Sequence, residues 1–350
     1  MKIRENVKNI KPYIPGVLKP GAVKLASNEN PLGVSRVVQK AVKEYLNNIA
    51  LYPDGGCVEL KKKLADKYQL KPENFIIGNG SDEIFLFIAG LLIEPGDEMI
   101  TSECTFSEYT FSTLMYDGVP VYVPIKDGKY QLNEFLKRLT PKTKLIFIAN
   151  PNNPTGTYLK QKELASFMEK ISDNVLVVID EAYCEYVDAK DYPDAIALQK
   201  QFKNLLITRT FSKIYGLAGL RIGYAVGDAG LIDNLNKTRE PFNVNAVAQV
   251  AAIAALADGN FVTKSIRNNR KGKKYLYAEF DKLGLKYFKS AANFIYVEIG
   301  IDCLEAFQKL MDLGVTIRPM KSFGQDKAIR VTIGTPEQNE LFIQCLKQIL

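Results

Sequence analysis

The spacing of apolar and polar positions changes character along the chain. Between Phe75 and Thr208, short runs rich in β-branched and aromatic residues recur at Phe75–Ile77, Glu98–Thr101, Val119–Val123, Leu145–Ala149, Val175–Ile179 and Leu205–Thr208. Each is shorter than a helix needs and is bounded by turn residues, so each predicts a strand. Longer segments with helical spacing lie between them. Two examples are Glu83–Leu92, introduced by the capping residues Ser81 and Asp82, and Gln161–Ile171. Strands that alternate with helices predict a mostly parallel sheet covered by helices.

After Asn243 the pattern changes, with long helical stretches at Ala246–Ala257 and Val262–Leu283 followed by strands at Ala292–Glu298 and Ala328–Ile333. The expected architecture is α/β: a large domain over 31–245, and a smaller α+β domain made of 246–350 with the N-terminal arm 1–30. Pro12, Pro15, Pro20 and Pro31 keep the opening segment out of a helix and predict an extended run over both domains.

Composition narrows the function. With 350 residues, 47% of them hydrophobic, the chain can build a sizeable core. The longest apolar run, Ile84–Ile93, is about half what a spanning helix needs, and Met1–Ile10 has no apolar stretch of the kind a secretory signal carries. The net charge of +7 suits an anionic small molecule, while no block of Lys and Arg marks a nucleic-acid tract or a membrane patch. Five scattered cysteines without a C-x-x-C pair point to a reducing compartment and thus to the cytoplasm. The chain has no histidine, which removes the Ser-His-Asp triad, most zinc sites and the usual neutral-pH base. An enzyme built this way needs a lysine amine or a cofactor to carry protons.

Four motifs supply candidates. Gly78-Asn79-Gly80-Ser81-Asp82-Glu83 follows a strand and opens a helix, where glycines and free N–H groups favour a phosphate, although a plain capped turn reads the same way. Asn150-Pro151-Asn152-Asn153-Pro154-Thr155-Gly156 follows Leu145–Ala149 at a strand end, the place where open α/β sheets bind ligands. Asp180 closes a very apolar run, so its carboxylate needs a facing cation, such as a protonated pyridine nitrogen, unless it caps a helix. Thr210-Phe211-Ser212-Lys213 brings an amine to a strand end, with Arg221 close behind as a fixed cation for a phosphate. Taken together these are a phosphate cradle, a loop amide, a carboxylate for a ring nitrogen and an amine able to form a Schiff base.

N-P-N-N-P-T-G, D-E-A-Y and T-F-S-K-x-x-G-L-A-G-L-R, in that order, resemble the fold-type-I pyridoxal-5'-phosphate (PLP) aminotransferases. More narrowly, Pro12-Tyr13-Ile14-Pro15-Gly16, Asn28-Glu29-Asn30-Pro31-Leu32-Gly33, Tyr52-Pro53-Asp54-Gly55 and G-N-G-S-D-E resemble the histidinol-phosphate branch of that family. The resemblance spans nearly the whole chain. It implies that Lys213 bonds the cofactor aldehyde, that Asp180 pairs with the ring nitrogen, and that Asn153 and Tyr183 reach the ring's phenolic oxygen. Phe106 takes the place of the aromatic that stacks on the ring, where the family often has Tyr. Ser81, Asp82, Ser212 and Arg221 would hold the phosphate, with Tyr52 arriving from a second subunit, so a homodimer is implied. Arg330 would grip the substrate's anionic group, with Arg318 and Tyr13 nearby. The implied reaction is transamination between glutamate and imidazole-acetol phosphate, a step of histidine biosynthesis, with no metal. An aromatic-amino-acid aminotransferase and a phosphothreonine decarboxylase share the same cofactor residues, and a non-catalytic binding module is the rival from another class.

Overall fold

The computed structural model describes residues 3–4, 7–8, 10 and 19–350. Its strands are β1 (Val23–Lys24), β2 (Phe75–Gly78), β3 (Glu98–Ser102), β4 (Val119–Val123), β5 (Thr143–Ala149), β6 (Leu176–Asp180), β7 (Leu205–Thr210), β8 (Gly223–Val226), β9 (Lys286–Tyr287), β10 (Phe294–Glu298), β11 (Val315–Thr316), β12 (Arg318–Pro319) and β13 (Ala328–Thr332). Seven of them form the main sheet in the order β2-β8-β7-β6-β5-β3-β4. Within it β8 runs antiparallel to both neighbours, and the pairs from β7 to β4 are parallel.

The six expected strands all form, and the central parallel ones are the plainest, because a parallel strand covered on both faces is apolar throughout and leaves a continuous run in the sequence. Val177, Val178 and Ile179 of β6 and Ile146, Phe147 and Ile148 of β5 have no exposed surface. The strand β8 was not expected. It is four residues long and opens on Gly223, directly after Gly-rich sequence that reads as a turn. A side chain at 223 would put its Cβ 2.7 Å from the Ser81 nitrogen, so glycine is what lets β8 pass this close to the first turn of the helix Ser81–Leu92.

One expectation about that helix needs correction. The residue before its first turn is Gly80, with φ 84°, rather than Ser81 or Asp82, which lie inside the turn. Their N–H groups are therefore among those that a helix leaves without an internal partner.

Apolar residues on the two faces of the main sheet make two cores, and a third surrounds β10 and β13. The helix Ala246–Ala257, expected in the small domain, buries Ala248, Ala251, Ala252 and Ala255 in the large-domain core. It packs on the helices Arg36–Tyr45 and Val58–Tyr68. The boundary expected at 245 thus falls within large-domain packing. The long helix Gly259–Lys282 begins on that core, where Val262 and Ile266 pack, and ends by burying Leu276 and Phe280 in the third core. The arm strand β1 pairs with β11, and β10 pairs with β13 in the four-stranded sheet β12-β13-β10-β9. No single helix among the described residues is long and apolar enough to cross a membrane.

Candidate active site

A cavity of about 320 Å³ opens at the carboxyl ends of β5, β6 and β7. All four motifs contribute to it, and so do the arm residues Ala26–Glu29 and the small-domain residues Arg318, Phe323 and Arg330. Strand ends converge here because parallel strands point their carboxyl ends the same way.

Lys213 follows the β7 terminus, where the Ser212 N–H donates to Thr210 Oγ1 at 3.1 Å and turns the chain. Its Nζ donates to the Ser27 carbonyl at 3.2 Å and lies 5.7 Å from the centre of the Tyr183 ring. Tyr183 is buried, and its hydroxyl accepts from Asn28 Nδ2 at 3.0 Å.

Asp180 is the last residue of β6 and is 5% exposed. Its Oδ2 accepts from the Tyr109 hydroxyl at 2.7 Å and its Oδ1 from the Ala182 N–H at 3.2 Å. Burial pushes the carboxyl up from 3.8 to about 6, against the pull of the Tyr109 hydrogen bond. A carboxylate that ionises at such cost is one that a facing cation would relieve, and a protonated ring nitrogen meets that need. The next residue, Glu181, pairs with Arg209 of β7 at 2.7 Å and so ties the ends of β6 and β7 together.

Arg330, buried on β13, donates through Nη1 to Asn153 Oδ1 and through Nη2 to the Ala26 carbonyl at 2.7 Å. Its Nε is buried with no partner. Burial lowers the guanidinium to about 10, which still leaves it cationic at neutral pH. A buried cation with an orphaned N–H on a cleft is poised for an anion. Arg318 stands opposite it in the β12–β13 register and also lines the cleft.

At the other end Arg221, with φ 53°, donates to Ser212 Oγ at 3.4 Å and to Asp82 Oδ2 at 3.0 Å. A Cβ on Gly80 would stand 2.6 Å from Arg221 Nη2, so the cradle closes only around glycine. Phe106 lines the cleft and meets Phe85 and Tyr109 edge-on, with ring centroids 6.4 and 5.7 Å apart.

The sequence from residue 20 to residue 346 matches the aminotransferase class I and II family. This chain belongs to that family. The aminotransferases of the family are PLP-dependent, and the cleft fits the cofactor on three independent counts: a glycine-walled cation, a buried carboxylate without a cation, and an amine lining the same cleft. Among aminotransferases of known name, the chain is 48% identical to the histidinol-phosphate aminotransferase of Moorella thermoacetica, covering all of this chain and 93% of that one. It is 46% identical to the enzyme of the same name from Caldicellulosiruptor saccharolyticus, over 99% of both chains. The crystal structure of histidinol-phosphate aminotransferase from Sinorhizobium meliloti in complex with pyridoxal-5'-phosphate superimposes with a TM-score of 0.90 at 26% identity, over all of this chain and 98% of that one.

The structure thus gathers Lys213, Asp180, Asn153, Tyr183, Ser81, Asp82, Phe106, Ser212, Arg221, Arg318 and Arg330 around one aminotransferase cleft. Tyr52 is not among them. It is 82% exposed and stacks on Phe242 at 4.9 Å, outside its own chain's cavity. Tyr13 lies outside the described residues. Sequence reasoning missed Tyr109 and gave no role to Asn28. The signal for Tyr109 was its place just inside the helix Glu108–Met115, three residues beyond Phe106, whose ring it meets.

Proposed function

We propose that this aminotransferase moves the amino group of glutamate to imidazole-acetol phosphate, giving histidinol phosphate and 2-oxoglutarate. The observation that carries the proposal is the convergence of Lys213, Asp180 and Arg330 on one cleft, in a chain nearly half identical over its whole length to an enzyme of that name. When bound, PLP supplies an aldehyde that condenses with amines and a cationic ring that accepts the electrons left on the substrate's α-carbon.

The protein's part is to bind, orient and move protons. Asp180, fixed by Tyr109 and the Ala182 N–H, would pair with the ring nitrogen and keep it protonated. Phe106 offers one ring face, while Asn153 and Tyr183 serve the phenolic oxygen. The N–H groups of Ser81 and Asp82, with Ser212 and Arg221, take the phosphate. Arg330, assisted by Arg318, grips the carboxylate or phosphate of the substrate bidentately and thereby presents the α-carbon to Lys213. With PLP bound, the Lys213 amine would be displaced by the incoming amino group and would then carry the proton from the substrate's α-carbon to the cofactor, the amino group staying on the cofactor and the keto product leaving. No histidine is needed, because the one mobile proton travels on an amine.

The protein acts as a homodimer in the cytoplasm. The stacked pair Tyr52 and Phe242 is exposed, and so are Leu46, Ile49 and Leu51 just before it in sequence; exposed apolar side chains of this kind support the dimer, since they call for a covering partner. Tyr52 would reach the partner's phosphate end. Mixing Lys213→Ala with Tyr52→Ala chains tests this: each hybrid regains one complete site, so activity returns above that of either variant alone. The substrate is tested by single-turnover rates with histidinol phosphate, phenylalanine and phosphothreonine; failure with histidinol phosphate rejects the proposal.

A further inference from the structure

Arg221 is already engaged where it meets the cleft. Its Nη2 donates to Asp82 Oδ2 at 3.0 Å, and its Nη1 donates to Ser212 Oγ at 3.4 Å and to the Ala218 carbonyl at 3.2 Å. The guanidinium lies close against Gly80, where a Cβ would stand 2.6 Å from Nη2, and so borders the first turn of the helix Ser81–Leu92. A carboxylate therefore sits on the same cation that the proposed function gives to the cofactor phosphate, and the role of Asp82 rests on that reading of Arg221. One guanidinium serves two anions only by dividing its donors, and the two anions repel each other. The pair is not sealed in: the side chains of Arg221 and Asp82 are 43% and 41% exposed, which leaves the carboxylate room to swing aside.

We propose that Asp82 is a competing anion that weakens the hold of Arg221 on the cofactor phosphate, so that loading and release of PLP are set by displacement of this carboxylate. The charged groups that face Asp82 are Arg221 and Lys213, which attract it, and Glu108 and Asp180, which it repels. Partial burial in the cleft holds both Asp82 and Glu108 above the usual carboxylate range. A dianion arriving here favours the neutral acids and so drives proton uptake. Affinity at the phosphate end accordingly falls as pH rises through the range in which these two carboxyls ionise.

The test is equilibrium binding of PLP, pyridoxal and sulfate to the cofactor-free full-length protein, comparing wild type with Asp82→Asn and Asp82→Ala. Pyridoxal lacks the phosphate, and sulfate keeps both charges across the working pH range, so its pH profile reports the protein alone. Both variants are expected to bind PLP and sulfate about tenfold more tightly near neutral pH. Pyridoxal affinity stays as in the wild type, and most of the fall in sulfate affinity with rising pH disappears. Were Asp82 instead needed to orient Arg221, the Asn variant would match wild type and the Ala variant would bind PLP more weakly; either result overturns the inference. Should a variant fail to fold, a wild-type sulfate profile that is flat with pH does the same. If Arg221→Ala leaves PLP affinity intact, the reading of the phosphate end itself falls, and the competing role of Asp82 falls with it.

Discussion

Asp180→Asn should make the cofactor-free protein more stable while destroying its use for PLP. Asp180 is buried, and burial raises its carboxyl from 3.8 to about 6. The folded state therefore holds its proton more tightly than the unfolded chain does. Stability from this group is fully present below the unfolded value of 3.8 and is lost as pH rises through the folded value of about 6. A shift of about two units corresponds to about 3 kcal/mol. For a chain of this length that is about 4 °C in melting temperature. Asn fits the same space and cannot ionise; with its one oxygen toward Tyr109 it gives up the 3.2 Å bond from the Ala182 N–H, worth about 1 kcal/mol, which is less than the cost of ionisation. Thermal melting of the cofactor-free forms from pH 4 to pH 8 should show the two proteins parting, with wild type losing ground by pH 7. Adding PLP should close the gap, because the ring nitrogen supplies wild type alone with its missing cation. Parallel melting profiles across that range would refute the view of Asp180 as a carboxylate held at a cost for a cation.

Tyr109→Phe removes a hydrogen bond to that ionised carboxylate, worth about 1.5–3 kcal/mol, so the pH at which the cofactor-free protein loses stability should move up by about one to two units. Lys213→Ala should lower turnover at least about a thousandfold. Borohydride reduction with peptide mass mapping should find a pyridoxyl label on Lys213 of the wild type and none in the variant. Arg330→Lys keeps the charge but cannot hold Asn153 and the Ala26 carbonyl while gripping an anion with two parallel N–H groups. Steady-state kinetics should show about a hundredfold loss in kcat/KM for glutamate and for histidinol phosphate.

Much of the site was legible in the chain because its key groups sit at junctions that local pattern reveals. A run such as Val175–Ile179 is recognisable as a buried strand, and the acid that ends it must then lie at the carboxyl end of that strand. The same holds for Lys213 after β7 and for the loop after β5, so the sequence alone determined six of the seven strands of the main sheet, the order of the motifs and the chemistry they imply. Other features depended on partners far away along the chain. Tyr109 meets Asp180 across 71 residues, Asn28 meets Tyr183 across 155, and Arg330 meets Asn153 across 177. The helix Ala246–Ala257 is apolar on every side, so nothing in its periodicity says which core it joins. Strand β8 opens directly out of Gly-rich turn sequence and is held by its two neighbours. Only the tertiary structure decided these points, because desolvation, donor sharing and side-chain pairing are set by what surrounds a residue in space, whereas sequence periodicity records only which face of an element turns inward.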